Sequence, residues 1–312
     1  MFLNIIMGFV MIVMSISLFA TYQSAGTPKK NILLGITLPK EYIINAKVTD
    51  IIKNYKKINS LLFLVSLILA LPLFALKYIS FIILYLFLWY LSYFLVSNVY
   101  FKKYNKQLFL LKSQNRWFPD EWHIVTEDTD KEPIYADEDE CWRKGYYYNP
   151  KDSRSTVEKR VGVGNTYNMA TKKGKAITYS LTSFGIIVVG AVLFLFARMD
   201  FATFDLTLEG STVEMRAPFY GYQFDINEIE NVSLIDSMPQ HGVRSNGAAT
   251  ETYSLGNFNY DGYGRSKVYI YNDYPPYILI KTKDLSVFFN SKEEGTTREY
   301  YEMLLKKLEI KK

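Results

Sequence analysis

No charged side chain precedes Lys29, and the 312 residues contain only two histidines and one cysteine. Cys141 alone cannot form an internal disulfide, which excludes a fold stapled by bridges and a four-cysteine zinc site. His123 and His241 have no second Cys or His close in sequence, so they read as a surface and a loop residue rather than as metal ligands. Ser237, Ser245 and Ser254 lack the flanks of a nucleophile elbow, and no nucleophile–base pair has usable spacing. The Gly162-Val163-Gly164-Asn165-Thr166-Tyr167 bend has no third glycine and no helix opening behind it, so it is not a dinucleotide fingerprint. These absences together predict a protein that is not an enzyme and carries no cofactor and no metal.

Long uncharged runs are present instead. Residues 2–20 are apolar enough to cross a hydrocarbon core of about 30 Å at about 1.5 Å per residue, and they place span one within residues 1–22. A cleaved signal peptide is the competing assignment, but its basic n-region is missing. Residues 58–76 and 78–101 are uncharged on either side of Lys77, with Pro72 near the tip, and predict a helical hairpin over 58–101 carrying spans two and three. Span four is predicted over 176–198, opened by Lys172, Lys173 and Lys175. No Asp, Glu, Lys, Arg or His falls inside the apolar stretches 2–20, 58–76, 78–101 and 176–197, whereas an ion-coupled carrier usually needs one at mid-depth. The 16% aromatic content, with 26 Tyr and 21 Phe, suits a chain with membrane interfaces to anchor.

Charge sets the expected orientation. Residues 1–200 carry 24 Lys/Arg against 15 Asp/Glu, while residues 201–312 carry 12 against 16. The loop 23–57, with Lys29, Lys30, Lys40, Lys47, Lys53, Lys56 and Lys57, and the segment from 102 to 175 flank the spans with basic residues and belong in the cytoplasm. The amino terminus and a tail of residues 201–312 then face outward in a multi-pass membrane protein. Between spans three and four, residues 102–138 read as a linker. His123, beside Asp120 and Glu121, reads as surface, and in the charge-rich stretch 120–140 the run of Asp137, Glu138, Asp139 and Glu140 reads as solvated carboxylates rather than a metal site.

Residues 139–175 form a small aromatic module: Trp142, Tyr146, Tyr147 and Tyr148 supply rings, Asn149-Pro150-Lys151-Asp152 a turn, and Lys159-Arg160 precedes the paired-glycine bend. The candidate site residues here are Trp142, Tyr147, Tyr148, Asn149, Lys159 and Arg160. With Gly145, Pro150, Asp152, Gly162, Gly164, Thr166 and Asn168 they make a pattern that resembles a small uncharacterised domain of bacterial multi-span membrane proteins. The stretches LLGITLPKEY at 33–42 and FKKYNKQLFLLKSQNRW at 101–117 are similar to segments of the same proteins. The group is loosely similar to the immunity and signalling proteins of the sporulation-delaying-toxin type, which implies a membrane placement and, faintly, an immunity role.

In the tail, residues 204–208, 212–216, 223–226, 232–235, 267–271, 277–281 and 286–289 alternate or carry β-branched residues between turns and predict about seven strands. Thr296-Thr297-Arg298-Glu299 reads as a capping box before a helix with a Tyr301, Leu304, Leu305, Leu308 stripe. This outline, with the 225–229 stretch and Phe288-Phe289-Asn290, resembles the pleckstrin-homology-like group, which implies a barrel stoppered by its C-terminal helix. The glycine-, asparagine- and tyrosine-rich residues 239–265 read as either a flexible insertion or a binding loop, with Arg244, Asn246, Tyr253, Phe258, Tyr260 and Tyr263 as candidate contacts. A net acidic tail disfavours lipid-phosphate and nucleic-acid recognition there and leaves protein or peptide contact through the loop or a sheet edge. The expected partners are the bilayer, an unknown protein or peptide, and a second copy of the chain. The function that fits is sensing or scaffolding by a non-enzymatic membrane protein; the alternative is an immunity protein or a transporter or channel accessory acting through its spans.

Overall fold

The computed structural model describes residues 2–118 and 138–309, and the chain divides into two units, Met1–Ala75 with Leu84–Gly190, and Leu76–Ile83 with Ala191–Lys312. The main elements in chain order are α1 (Phe2–Ala25), β1 (Ile32–Leu33), β2 (Ile36–Thr37), α2 (Ala46–Ile68), α3 (Ile79–Gln114), α4 (Asp139–Trp142), β3 (Thr156–Glu158), β4 (Asn165–Tyr167) and α5 (Lys172–Asp200). The tail adds β5 (Asp205–Glu209), β6 (Thr212–Arg216), β7 (Tyr222–Asp225), β8 (Ile229–Ile235), β9 (Gly242–Ala249), β10 (Tyr253–Tyr260), β11 (Gly264–Tyr271), β12 (Tyr277–Thr282), β13 (Ser286–Phe289) and α6 (Glu294–Glu309).

Four helical stretches, Leu3–Ala25, Ala46–Ala75, Ile79–Gln114 and Lys172–Asp200, are long and apolar enough to cross a membrane. Two of them outrun the apolar blocks that predict them. Asn45 caps α2 by accepting from Lys47 N at 2.9 Å, so Lys47, Lys53, Lys56 and Lys57 ride on the helix rather than in a loop. Residues 102–114, expected to be linker, continue α3. Neither stretch contains a glycine or proline to stop the helix, and lysine is a good helix former. Polar pairs join the apolar helices: Ser15 and Ser66 hydroxyls lie 3.1 Å apart, Trp89 Nε1 donates to Ser66 O at 3.0 Å, and Tyr55 OH donates to Tyr22 O at 2.6 Å. Such bonds supply specificity where apolar surfaces alone slide. Most of the remaining helix surface is bare hydrocarbon, with Phe9, Leu64, Leu88 and Phe184 all exposed.

Residues 29–42 fold as a β1–β2 hairpin whose turn needs positive φ at Leu34 and Gly35 (48° and 77°). Leu33, Leu34, Ile36 and Leu38 are buried with Val48, Tyr55 and Leu108, and Tyr42 stacks on Trp117 at 4.6 Å.

Among its described residues the tail has nine strands rather than about seven, in two sheets that do not close into a barrel. One is the meander β5-β6-β7; the other has the order β8-β12-β13-β11-β10-β9, with β11 and β13 parallel. Both faces of the larger sheet are covered. Tyr253, Leu255, Tyr269, Ile278, Ile280, Val287 and Phe289 share a core with Leu206, Val213, Met215 and Phe224 of the small sheet and with Leu304 of α6. Their alternates Phe258, Val268, Ile270, Leu279 and Phe288 form a second cluster on the opposite face. Period-two alternation over two buried faces explains why β12 and β13 are apolar almost throughout.

The expected 239–265 loop is instead β9, β10 and the start of β11. Small residues replace the β-branched ones that mark strands, and two of them are required: a Cβ on Gly247 would meet Leu255 O at 2.1 Å, and one on Gly256 would meet Asn246 O at 2.5 Å. The Thr296 capping box is also replaced. The helix opens earlier, at Glu294, and Thr297 Oγ1 accepts from Ser291 N at 2.9 Å. A capping box does form at Asp225, whose side chain accepts from Asn227 N at 2.8 Å while Glu228 Oε1 accepts from Asp225 N at 3.0 Å.

Candidate functional site

Three sequence-distant segments of the first unit converge on one carboxylate. Asp139, at the start of α4, accepts from Thr37 N at 3.1 Å and Thr37 Oγ1 at 3.0 Å on β2, from Lys112 Nζ at 2.7 Å near the end of α3, and from Arg160 Nη1. The same Nη1 donates to Gly35 O at 3.1 Å. The side chains of Lys112, Asp139 and Arg160 are 0%, 3% and 7% exposed. Burial pushes the Asp139 carboxyl up, but the charges of Arg160 and Lys112 and the bonds from Lys112 and Thr37 outweigh it, and the carboxyl is held below its usual range. The solvated-carboxylate expectation therefore fails for Asp139, because two cations and a hydroxyl from elsewhere in the chain enclose it. Asp120, Glu121, His123 and Asp137 lie outside the described residues.

The module behind this knot is held by side-chain to backbone bonds. Buried Asn168 accepts from Asn149 N and Ala170 N at 3.1 and 3.0 Å, and donates to Asn149 O and Asp152 O at 2.9 Å each. Tyr147, 1% exposed, donates to Asp152 Oδ2 at 2.9 Å and accepts from Asn149 Nδ2 at 3.1 Å; burial is the main cause of its rise to about 12. Asp152 is held at about 2, chiefly by its bonds from Arg154. Trp142 packs on Tyr147 at 5.1 Å and carries the Arg160 guanidinium 5.7 Å from its ring. Lys144 sits 4.4 Å over Tyr148, and the Lys159 side chain is exposed. Of the six module candidates, Tyr147 and Asn149 are structural, while Trp142, Lys159 and Arg160 border a cavity.

The six tail candidates separate. Tyr253 and Phe258 are core, 2% and 7% exposed, and burial, then Asp200, pushes the Tyr253 hydroxyl up. Tyr260 and Tyr263 pack edge-on against Phe288 at 5.4 and 5.5 Å. Tyr253, Phe258 and Tyr260 therefore lie on β10 rather than in a loop, and Tyr263 lies in the turn between β10 and β11, partly buried against the Phe288 cluster. Arg244 and Asn246 remain exposed on β9, where Asn246 Oδ1 accepts from Tyr220 OH at 3.1 Å. β9 is an edge strand. It pairs with β10 on one side, and no strand pairs with its other side among the described residues.

Residue patterns missed Thr37, Lys112 and Asp139. The one available signal was Lys112, a lone cation closing the apolar Leu108-Phe109-Leu110-Leu111 run on a helix. Comparison of the chain with protein families, curated proteins and solved structures finds no match.

Proposed function

We propose that the chain is a non-enzymatic bacterial membrane protein with sensing or scaffolding duties, whose outward tail binds an extended segment of an envelope protein along β9. Four helices of sufficient length and apolarity support the bilayer placement, and the basic flanks of residues 23–57 and 102–175 support an inner position for both segments. The tail is a variant of the pleckstrin-homology-like layout, two sheets about one core with a C-terminal helix against it, and the shared cluster from Leu206 to Leu304 supports this.

The observation that carries the binding reading is the open edge of β9. Eight residues, Gly-Val-Arg-Ser-Asn-Gly-Ala-Ala, are exposed over most of their length and include no lysine or proline to guard the edge. Val243 is 72% exposed. An added strand gains backbone hydrogen bonds at this edge, which no strand occupies among the described residues. A photo-crosslinking residue placed at exposed Arg244 of the full-length chain in membranes should capture a discrete partner, and adding Val243→Lys to that chain should abolish capture while leaving the protein folded. Undiminished capture by the lysine variant rules out β9 as the docking edge.

The second reading, an immunity protein or a transporter or channel accessory acting through its spans, is favoured by α5. None of its apolar window is buried within the chain, so that stretch of the helix is available to lipid or to a partner span. Complementation by residues 1–200 without the tail would favour this reading over the first.

A further inference from the structure

The cavity beside Arg160 has the features of an anion site. It measures about 210 Å3 and is walled by Phe101, Asn105, Trp142, Lys159, Arg160 and Thr166. Its charged lining is Lys159 and Arg160, with no carboxylate among the described residues that border it. Arg160 is 7% exposed, and its bonds to Asp139 and Gly35 both leave from Nη1. Nε and Nη2 have no acceptor among the described residues, so part of a rigid guanidinium fork suited to phosphate oxygens is left for a ligand. A third cation stands at the wall: the Cβ position of Gly145, a glycine held at φ +84°, lies 3.0 Å from Lys102 Cε and 3.4 Å from its Nζ.

The cavity also lies where two apolar helix surfaces end. Phe101 closes the uncharged run 78–101, and Lys102 and Lys103 follow it at once. On the α1 side, Gly162 approaches Thr21, just beyond the apolar run 2–20. Aromatic and apolar walls with cations at this level match a headgroup boundary. The volume is below the ~300–1,000 Å3 of sites for drug-sized ligands, which suits a headgroup better than a nucleotide. We propose that this cavity binds the phosphate of an anionic phospholipid. The inference rests on α1 and α3 crossing a bilayer, but not on any role for the tail.

The test uses the full-length chain in neutral detergent, titrated with dihexanoylphosphatidylglycerol, dihexanoylphosphatidylcholine and inorganic phosphate, with binding followed by phosphorus NMR. The anionic lipid should bind about tenfold or more tightly than either control. Lys159→Glu, at an exposed side chain, and Thr166→Phe, which fills the cavity without a charge change, should each remove that preference at unchanged melting temperature. Unchanged lipid binding in Lys159→Glu, or equal binding of the zwitterionic lipid, overturns the proposal. Phosphate binding as tightly as the anionic lipid overturns the lipid assignment and makes the cavity a site for free phosphate. Alkaline carbonate extraction separates the premises: a chain that stays in the membrane yet ignores the lipid sinks this inference alone, and a chain that is extracted sinks the spanning assignment.

Discussion

Asp139 neutralises charge that would otherwise be stranded, since Lys112 and Arg160 are as buried as it is. Removing one member of such a buried set costs about 3–5 kcal/mol, because what remains is a charge without its counterion. Asp139→Asn should therefore lower the melting temperature of the first unit far more than Glu140→Gln, at an exposed carboxylate one residue away; equal effects in urea or thermal unfolding would refute the knot. The pH dependence has a defined sign. A carboxyl held below its unfolded value of about 4 contributes stability that is complete above that pH and is lost as pH falls through the folded value. Stability should thus be flat from neutrality to about pH 4 and fall below it, and Asp139→Asn should remove most of the fall. Asp152 titrates in the same window but contributes little, because Arg154 is 69% exposed. The turn residues Asn149 and Asp152 are legible from their spacing alone, since their partners are local. Asp139 is not, because its neighbours share its charge while Thr37 stands 102 residues away.

Strands β9 and β10 pair through crossing glycines held at φ +146° and +118°. Gly256→Val would drive its side chain into the backbone of β9, where no rotamer change relieves the clash. The expected result is a loss well above the ~1 kcal/mol of an average substitution, with early proteolysis between residues 242 and 260; a variant as protected as the parent would contradict the pairing. Composition hides these strands because Gly, Ser, Asn and Ala are turn residues in isolation, and here the ladder and the cluster around Phe288 override that preference. Helix α6 is visible in its stripe because the period of Tyr301, Leu304, Leu305 and Leu308 survives any placement of its first turn. Asn290 illustrates a motif whose meaning needed the fold. It accepts from Tyr271 N at 2.7 Å and donates to Tyr271 O and Tyr274 O at 3.0 and 2.6 Å, stitching the end of β13 to β11.

Across the whole chain, the four apolar helices were legible because a bilayer-length run needs no partner to declare itself. The sheet order was not, since the parallel β11–β13 pair depends on contacts that local alternation does not encode. The proposed orientation is open to direct measurement. In a Cys141→Ser background, Ser245→Cys on exposed β9 should react with an impermeant maleimide in intact cells, and Ser153→Cys in the module only after permeabilisation. Reaction of both from one side would refute it. The knot at Asp139 also bears on the order of synthesis. Asp139 follows Lys112 by 27 residues and Arg160 follows Asp139 by a further 21, so at ~5–20 residues per second a nascent chain waits several seconds between making its first cation and its last. Until Asp139 is made the end of α3 presents a lysine lacking this counterion, and until Arg160 follows the carboxylate holds only the first of its two cations.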